Sequence, residues 1–283
     1  MSNTNCSATD IACFQAMSLD DIMSAQNTVM DLAAWSELDN AAADGSEPIR
    51  PVRDGQLITN PLDLTAAFPA QTKPIILSTV LDEAAVAIYG AFTSDVDATT
   101  YEEAVLATFG NPRTDRILDT AVYAVSPAVD GVSPDQRPQL EVLGTDQIWR
   151  CATWTFARNW VGNGGKAYVG EYKVGATYPG NEEVPFCTTG GAVCHQDDIE
   201  IVFGTVQNPT TAQASLVTEM QARYKSFLYT GSPNAAGYAT WDVAGTDNVN
   251  AINLGATGLA DVGACNTSYW GSFVQYDYQV FDL

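Results

Sequence analysis

The stretch Lys73-Pro-Ile-Ile-Leu-Ser-Thr-Val-Leu-Asp-Glu83 decides the fold class of this chain. Its apolar and β-branched residues follow one another without polar alternation, which is typical of a strand buried on both faces of a parallel sheet. Residues 166–173 are a second predicted sheet strand. Helical patterns separate the two strands. The sequence therefore predicts an α/β fold, a mostly parallel sheet flanked by helices, with residues 1–283 as a single unit.

The remaining secondary structure is predicted from apolar spacing and capping residues. Long helices are expected at residues 18–35, 144–161, 211–229 and 263–278. Shorter elements are expected as a strand at residues 49–55, a helix at residues 60–68 and an edge strand at residues 251–254. Thr145 is expected to cap the start of the helix at residues 144–161.

The charge balance excludes several classes of function. The chain has 12 basic and 34 acidic residues, a net charge of −22. Nucleic acids and anionic membranes attract Lys and Arg, so neither is an expected partner. The acidity indicates a surface suited to solubility or, as an alternative, a field that attracts cationic ligands. Because no apolar run approaches the roughly 20 residues that cross a bilayer, no membrane span is predicted.

The cysteines indicate an oxidising compartment. They comprise two close pairs and two further positions, Cys6 with Cys13, Cys187 with Cys194, and Cys151 and Cys265 as candidates for a third pair. The close pairs suit short disulfide loops and lack the spacing of a zinc site. Glycosylation sequons at Asn5 and Asn266 agree with export, although the first residues have no signal-peptide pattern.

His195 is the only histidine and the first candidate for proton transfer, because its ordinary pKa lies near neutrality. A histidine that acts as a base needs an orienting carboxylate. Glu83 is that candidate, since it follows a strand at the edge of the sheet where ligands bind. The alternatives are a surface histidine and a carboxylate that stabilises a helix N-terminus. Asp197, Asp198 and Glu200 are expected to form a solvated rim.

Residues 195–204, His-Gln-Asp-Asp-Ile-Glu-Ile-Val-Phe-Gly, resemble the histidine segment of the type B carboxylesterase and cholinesterase family, His-Gly-x-Glu/Asp-apolar-x-x-Val-Phe-Gly. Further segments resemble that family in its own order: the Cys6 to Cys13 loop, residues 51–55, residues 74–83, Thr145-Asp146, and residues 224–234 followed by Trp241. Each match is modest, and together they are specific.

The resemblance implies an α/β-hydrolase fold and carboxylic ester hydrolysis without a metal or cofactor. It implies that Glu83 is the acid of the catalytic triad and His195 is the base. Ala84 and Gln196 depart from the family, which usually has glycine at both positions. A larger departure is that the chain contains neither the nucleophile motif Gly-x-Ser-x-Gly nor a glycine-rich oxyanion stretch. Residues 1–283 therefore resemble only the C-terminal half of the family's domain.

Two functions follow from the resemblance, while the ordered matches disfavour a third hypothesis, an unrelated acidic α/β binding protein. The first is a secreted ester hydrolase of the serine type, acting on a small-molecule or lipid ester. In that case this chain carries the histidine and the glutamate, its partner is the missing N-terminal half, and alone it is inactive. The alternative is a non-catalytic, cholinesterase-like binding or adhesion protein. The retained His195 and Glu83 favour the first function, since a binding module has no need of a base with its acid.

Overall fold

A computed structural model describes residues 6, 7, 10–36, 56 and 70–281 of the chain. Its centre is a parallel sheet of three strands in the order β1 (Pro74–Val80), β2 (Lys166–Tyr172) and β3 (Ile252–Leu254). Strand β1 pairs with β2 along its whole length, and β3 pairs with the end of β2. The parallel strands agree with the predicted α/β class. The strand and helix predicted at residues 49–55 and 60–68 lie outside the described residues.

Helices surround this sheet in the described part of the chain. Their bounds are α1 Ile11–Gln15, α2 Leu19–Ser36, α3 Ala85–Ala91, α4 Ala98–Phe109, α5 Arg113–Leu118, α6 Arg137–Gly144, α7 Cys151–Gly162, α8 Ile199–Phe203, α9 Thr211–Thr230 and α10 Asp277–Phe281. Helix α9 begins with a reciprocal capping box between Thr210 and Gln213, which satisfies the free N–H groups of its first turn. None of the described helices is both long and apolar enough to cross a membrane.

One long helical segment leads from α6 into β2. Helix α6 continues into a π-helical segment, Thr145–Arg150, and then into α7. The predicted N-cap at Thr145 is therefore wrong, because the segment starts at Arg137. Pro138 occupies its first turn, where the missing N–H of a proline costs no hydrogen bond. The hydroxyl of Thr145 instead accepts a hydrogen bond from the Ala84 N–H and donates one to Glu141.

The predicted helix at residues 263–278 is also wrong. This stretch contains a short 3₁₀ turn, Gly263–Cys265, and irregular turns before α10. Gly271 has a φ of 82°, which is incompatible with a continuous helix. The aromatic residues of these turns pack against one another and against Tyr123. Trp270 stacks on Tyr276, and its Nε1 donates to the Tyr123 hydroxyl at 2.9 Å. Their spacing reflects this cluster and not a helical face.

The two faces of β2 belong to different cores. Ala167 and Val169 face the core that includes α7, while Tyr168 and Tyr172 face the core beneath α9. Trp241 is fully buried in the second core, and its Nε1 donates to the carbonyl of Val169 at 2.8 Å. Strand β2 is thus covered on both sides. Burial on both faces is predicted for β1 instead, and there only Thr79 and Val80 are buried while the other residues are half-buried.

Three disulfides are present in the described residues. They join Cys6 to Cys13, Cys151 to Cys265 and Cys187 to Cys194. The second bond ties the start of α7 to the turn that follows β3, across a sequence separation of 114 residues. Closing so long a loop restricts the unfolded chain most strongly. The third bond closes the loop that ends at His195.

Candidate functional site

Glu83 lies in the turn between β1 and α3, at the carboxyl edge of the sheet. Its side chain is only 7% exposed. Its Oε1 accepts a hydrogen bond from the backbone N–H of Val80 at 2.9 Å. This bond holds the carboxylate against the end of β1 and leaves Oε2 directed to another partner.

His195 is carried by the long loop that follows β2. The Cys187–Cys194 disulfide closes that loop immediately before the histidine. Two hydrogen bonds attach the loop to the turn after β1: the Asp82 N–H donates to the Val193 carbonyl at 2.9 Å, and the Val193 N–H donates to Asp82 Oδ2 at 2.8 Å. These two bonds fix the loop to the turn just before both members of the candidate pair.

The structure brings His195 and Glu83 together, although 112 residues separate them. His195 Nδ1 lies 2.6 Å from Glu83 Oε2, a short distance typical of charge-assisted hydrogen bonds. A carboxylate at Nδ1 favours the tautomer that carries the proton there, which makes Nε2 the basic nitrogen. The histidine side chain is 46% exposed, and its ring lies 5.6 Å from that of Trp149, measured between centroids. This pair can orient a base that solvent or substrate reaches.

Asp197 organises the histidine loop from the inside. It is buried, so its expected position in a solvated rim is wrong. Its carboxylate accepts three hydrogen bonds at 2.8 Å, from the backbone N–H groups of Tyr178 and Cys194 and from Nδ2 of Asn181. Asn181 Nδ2 also donates to the His195 carbonyl. Burial raises the pKa of Asp197, and the hydrogen bonds oppose that shift.

The other two acids of the expected rim are half-buried. Asp198 and Glu200 are both partly covered, so neither is fully solvated. Burial raises the pKa of Asp198 above its usual value, and the charge of Glu83 raises it further. Asp198 therefore interacts electrostatically with the carboxylate of Glu83.

The two departures from glycine have different consequences. Ala84 has ordinary right-handed backbone angles, φ −81° and ψ −6°, and a side chain there causes no backbone strain. Gln196 has a φ of 72°, in the left-handed region that glycine adopts without cost. Glutamine in this conformation costs about 1 kcal/mol or more. Gln196, directly after His195, thus adopts a backbone conformation that glycine would adopt without this cost.

Sequence reasoning missed Glu141, which supports the turn that carries Glu83. The Ala84 N–H donates to Thr145 Oγ1 at 3.0 Å, and that hydroxyl donates to Glu141 Oε1 at 2.7 Å. Burial raises the pKa of Glu141 to about 8. The one signal in the sequence is the four-residue spacing of Glu141 and Thr145, which places both on one face of a helix.

Among the described residues, no Gly-Ser pair has the context of a nucleophile elbow. The chain has three Gly-Ser pairs. Gly45-Ser46 lies outside the described residues, Gly231-Ser232 follows α9, and Gly271-Ser272 lies in the turns before α10. An elbow needs a strand, a sharp turn and a helix in succession, and the two described pairs lack that context.

Among the described residues, one group of side chains has the spacing of metal ligands, but it does not form a metal site. Asp146, Cys151 and Cys265 have ligand atoms within 4.8 Å of one another. The two cysteines are joined in a disulfide, however, and a disulfide sulfur does not supply the thiolate that metals bind.

The chain is similar to known proteins over most of its length. The model of the family described as "Carboxylesterase family" matches residues 2–268. A curated relative, the "Crystal protein" of Dictyostelium discoideum, is 25% identical over 209 residues, which are 73% of this chain and 35% of the relative. The chain thus spans about a third of the length of that relative.

Proposed function

The chain belongs to the carboxylesterase family, and from this premise we propose that it takes part in carboxylic ester hydrolysis by Ser-His-Glu acyl transfer. The family has the α/β-hydrolase fold, with which the parallel sheet flanked by helices agrees. The observation that carries the proposal is the 2.6 Å contact between His195 Nδ1 and Glu83 Oε2 at the carboxyl edge of β1 and β2. The serine comes from a polypeptide segment outside these 283 residues.

The two residues have distinct roles in the proposed reaction. His195 Nε2 removes the proton of the serine hydroxyl as the serine oxygen attacks the ester carbonyl carbon. The same proton passes to the oxygen of the leaving alcohol when the carbon–oxygen bond breaks. A water molecule, deprotonated by His195, then attacks the acyl-serine and releases the acid. Glu83 fixes the orientation of the imidazole and balances its positive charge.

The proposal includes a division of the domain. Residues 1–283 correspond to the C-terminal half of the family's fold, and the N-terminal half provides the serine and the oxyanion donors. The position of β1 supports this division, because among the described strands it pairs only with β2. The three disulfides support a secreted protein. The sequons at Asn5 and Asn266 are the proposed glycosylation sites. The substrate is a small-molecule or lipid ester.

The proposal is tested on the native protein with a fluorophosphonate, a reagent that reacts with activated serines. We expect a labelled polypeptide that contains this chain or co-purifies with it. Introducing His195→Ala should abolish labelling and lower the hydrolysis of a chromogenic acetate ester by about 10⁴-fold or more. Thr189→Ala is the matched control, since Thr189 is an exposed residue of the same loop.

The purified 283-residue chain provides the complementary measurement. It should not hydrolyse the chromogenic ester above background, because it lacks the nucleophile. A burst of product that disappears in His195→Ala would show that the chain contains a nucleophile of its own. If no fluorophosphonate-labelled polypeptide accompanies the native chain, the proposed hydrolysis is wrong.

A second function has separate support. The 283 residues contain no Gly-x-Ser-x-Gly motif, and the printed name of the relative, "Crystal protein", describes no catalytic activity. Both observations favour a non-catalytic binding or adhesion protein. Under this alternative the native protein is not labelled by a fluorophosphonate, and His195→Ala leaves its interactions unchanged.

A further inference from the structure

A cavity of about 180 Å³ opens beside the candidate site, where β1 and β2 end against the helical segment that joins them. Leu81 and Val142 contribute apolar walls. The volume is well above the roughly 15 Å³ that a single water molecule needs. The His195 side chain does not line this cavity. It is therefore a separate space from the one that the imidazole faces.

The walls of this cavity carry five carboxylates, from Asp82, Glu141, Asp146, Glu171 and Asp261. All except Asp261 are buried or half-buried. So many acids around a small volume repel one another and lose hydration. Burial raises the pKa values of Asp82, Glu141 and Asp146, that of Glu141 to about 8, so the Glu141 carboxyl is largely protonated near neutral pH.

Two basic side chains also line the cavity, and each is already engaged. Arg150 Nε lies 2.7 Å from Asp146 Oδ1, and Lys173 Nζ lies 3.0 Å from one oxygen of Glu171. In the described part of the chain, no Lys or Arg forms an ion pair with the other three carboxylates of the cavity. Asp82 and Asp261 thus have no ion-pair partner among the described residues, and the cavity can accept a further positive charge.

Glu171 provides an independent indication of a ligand. Its side chain is 1% exposed, and its second oxygen, Oε2, has no hydrogen-bond partner among the described residues. An unsatisfied buried carboxylate oxygen is costly, because it has lost water without gaining a donor. A ligand with hydrogen-bond donors and a positive charge would remove that cost.

The spacing of the acids indicates the size of the cation. Within the described residues, no three of these carboxylates have oxygen atoms within 4.8 Å of one another, so they do not form the shell of a single metal ion. A planar guanidinium has five N–H donors and reaches acceptors on several sides. We propose that this cavity binds a small organic cation through a guanidinium group. This inference does not depend on ester hydrolysis.

The test is calorimetric titration of the native protein that contains this chain with methylguanidinium at constant ionic strength. Tetramethylammonium, which has charge but no N–H donor, and Ca²⁺ are the comparison titrants. We expect saturable binding of methylguanidinium alone. Glu171→Gln should weaken it about tenfold, since a charge-assisted bond is lost. Glu102→Gln changes the same charge at an exposed position on α4 and should leave the affinity unchanged.

A variant at the cavity rim keeps the test valid if Glu171→Gln does not fold. Asp261 is exposed, so Asp261→Asn should fold normally and weaken methylguanidinium binding about threefold. Several results would overturn the proposal. They are an absence of saturable binding, equal binding of tetramethylammonium, tighter binding of Ca²⁺, or Glu171→Gln and Asp261→Asn chains that bind methylguanidinium like the unaltered chain.

Discussion

Gln196 has a left-handed backbone conformation immediately after His195, with a φ of 72°. Gln196→Gly removes the clash of Cβ with the backbone, worth about 1–2 kcal/mol, and adds about 0.4–1 kcal/mol of unfolded-state entropy. The free energy of unfolding should therefore rise by about 0.5–1 kcal/mol, measured from urea denaturation. Gln196→Ala keeps the strain and serves as the control. A lower urea midpoint for Gln196→Gly would contradict this account of the turn.

Glu141 should make the stability of the chain depend on pH. Burial raises the pKa of its carboxyl from 4.5 to about 8, so between these values the folded chain binds more protons than the unfolded chain. The free energy of unfolding then falls as pH rises through this window, by at most about 1.4 kcal/mol per pH unit. Asp82, Asp146, Asp197 and Asp198 have raised pKa values and contribute in the same direction.

Glu141→Gln isolates this contribution. The amide oxygen still accepts from Thr145 Oγ1, while the group that ionises is removed. We expect the variant and the unaltered chain to have similar urea midpoints near pH 5, and the variant to be more stable near pH 8. Equal slopes of stability against pH for the two chains would rule out Glu141 as a source of the dependence.

At the scale of elements, the turn after β1 depends on the π-helical segment. Thr145→Val deletes the hydroxyl that accepts from the Ala84 N–H and donates to Glu141. Because these groups are buried, the free energy of unfolding should fall by about 1–3 kcal/mol. His195 is the only histidine, so a single imidazole NMR resonance reports whether the candidate site also shifts. Thr145→Ser keeps the hydroxyl and should lose about 1 kcal/mol or less.

The sequence predicts elements well where one local pattern dominates. The apolar runs of β1 and β2 and the capping residues of α9 indicate their positions with small errors at the ends. The predictions are wrong where contacts between residues distant in the sequence determine the local structure. The aromatic residues between Gly263 and Tyr276 pack on distant partners such as Tyr123, a contact that no local spacing reveals.

The candidate pair could be proposed from motif order, but its supports could not. Asp197 looks solvated in an acidic run, and only the folded loop shows the three donors around its carboxylate. The role of Glu141 depends on the backbone N–H of Ala84, which is 57 positions away along the chain. Burial and backbone donors of this kind come from tertiary structure, and the spacing of Glu141 and Thr145 indicates only that both lie on one face of a helix.

At the scale of the whole molecule, the sheet formed by the described strands has β1 at one edge. Among the described strands β1 has a single neighbour, and most of its residues are only half-buried. Helix α9 ends beside the start of β1, because a Cβ on Gly231 would lie 3.0 Å from Pro74 Cγ. Near that end, Leu228 and Tyr229 are strongly exposed. Exposed apolar side chains near an unpaired sheet edge favour association or aggregation.

The isolated chain should therefore bind an apolar dye such as anilinonaphthalene sulfonate and should unfold in a broad transition. Replacing Leu228 and Tyr229 together by Gln should lower the dye fluorescence with little change in stability, because both side chains are already exposed. Circular dichroism against temperature measures the transition. A sharp two-state transition without dye binding would show that the chain covers its own sheet, and the proposed division of the domain would then be wrong.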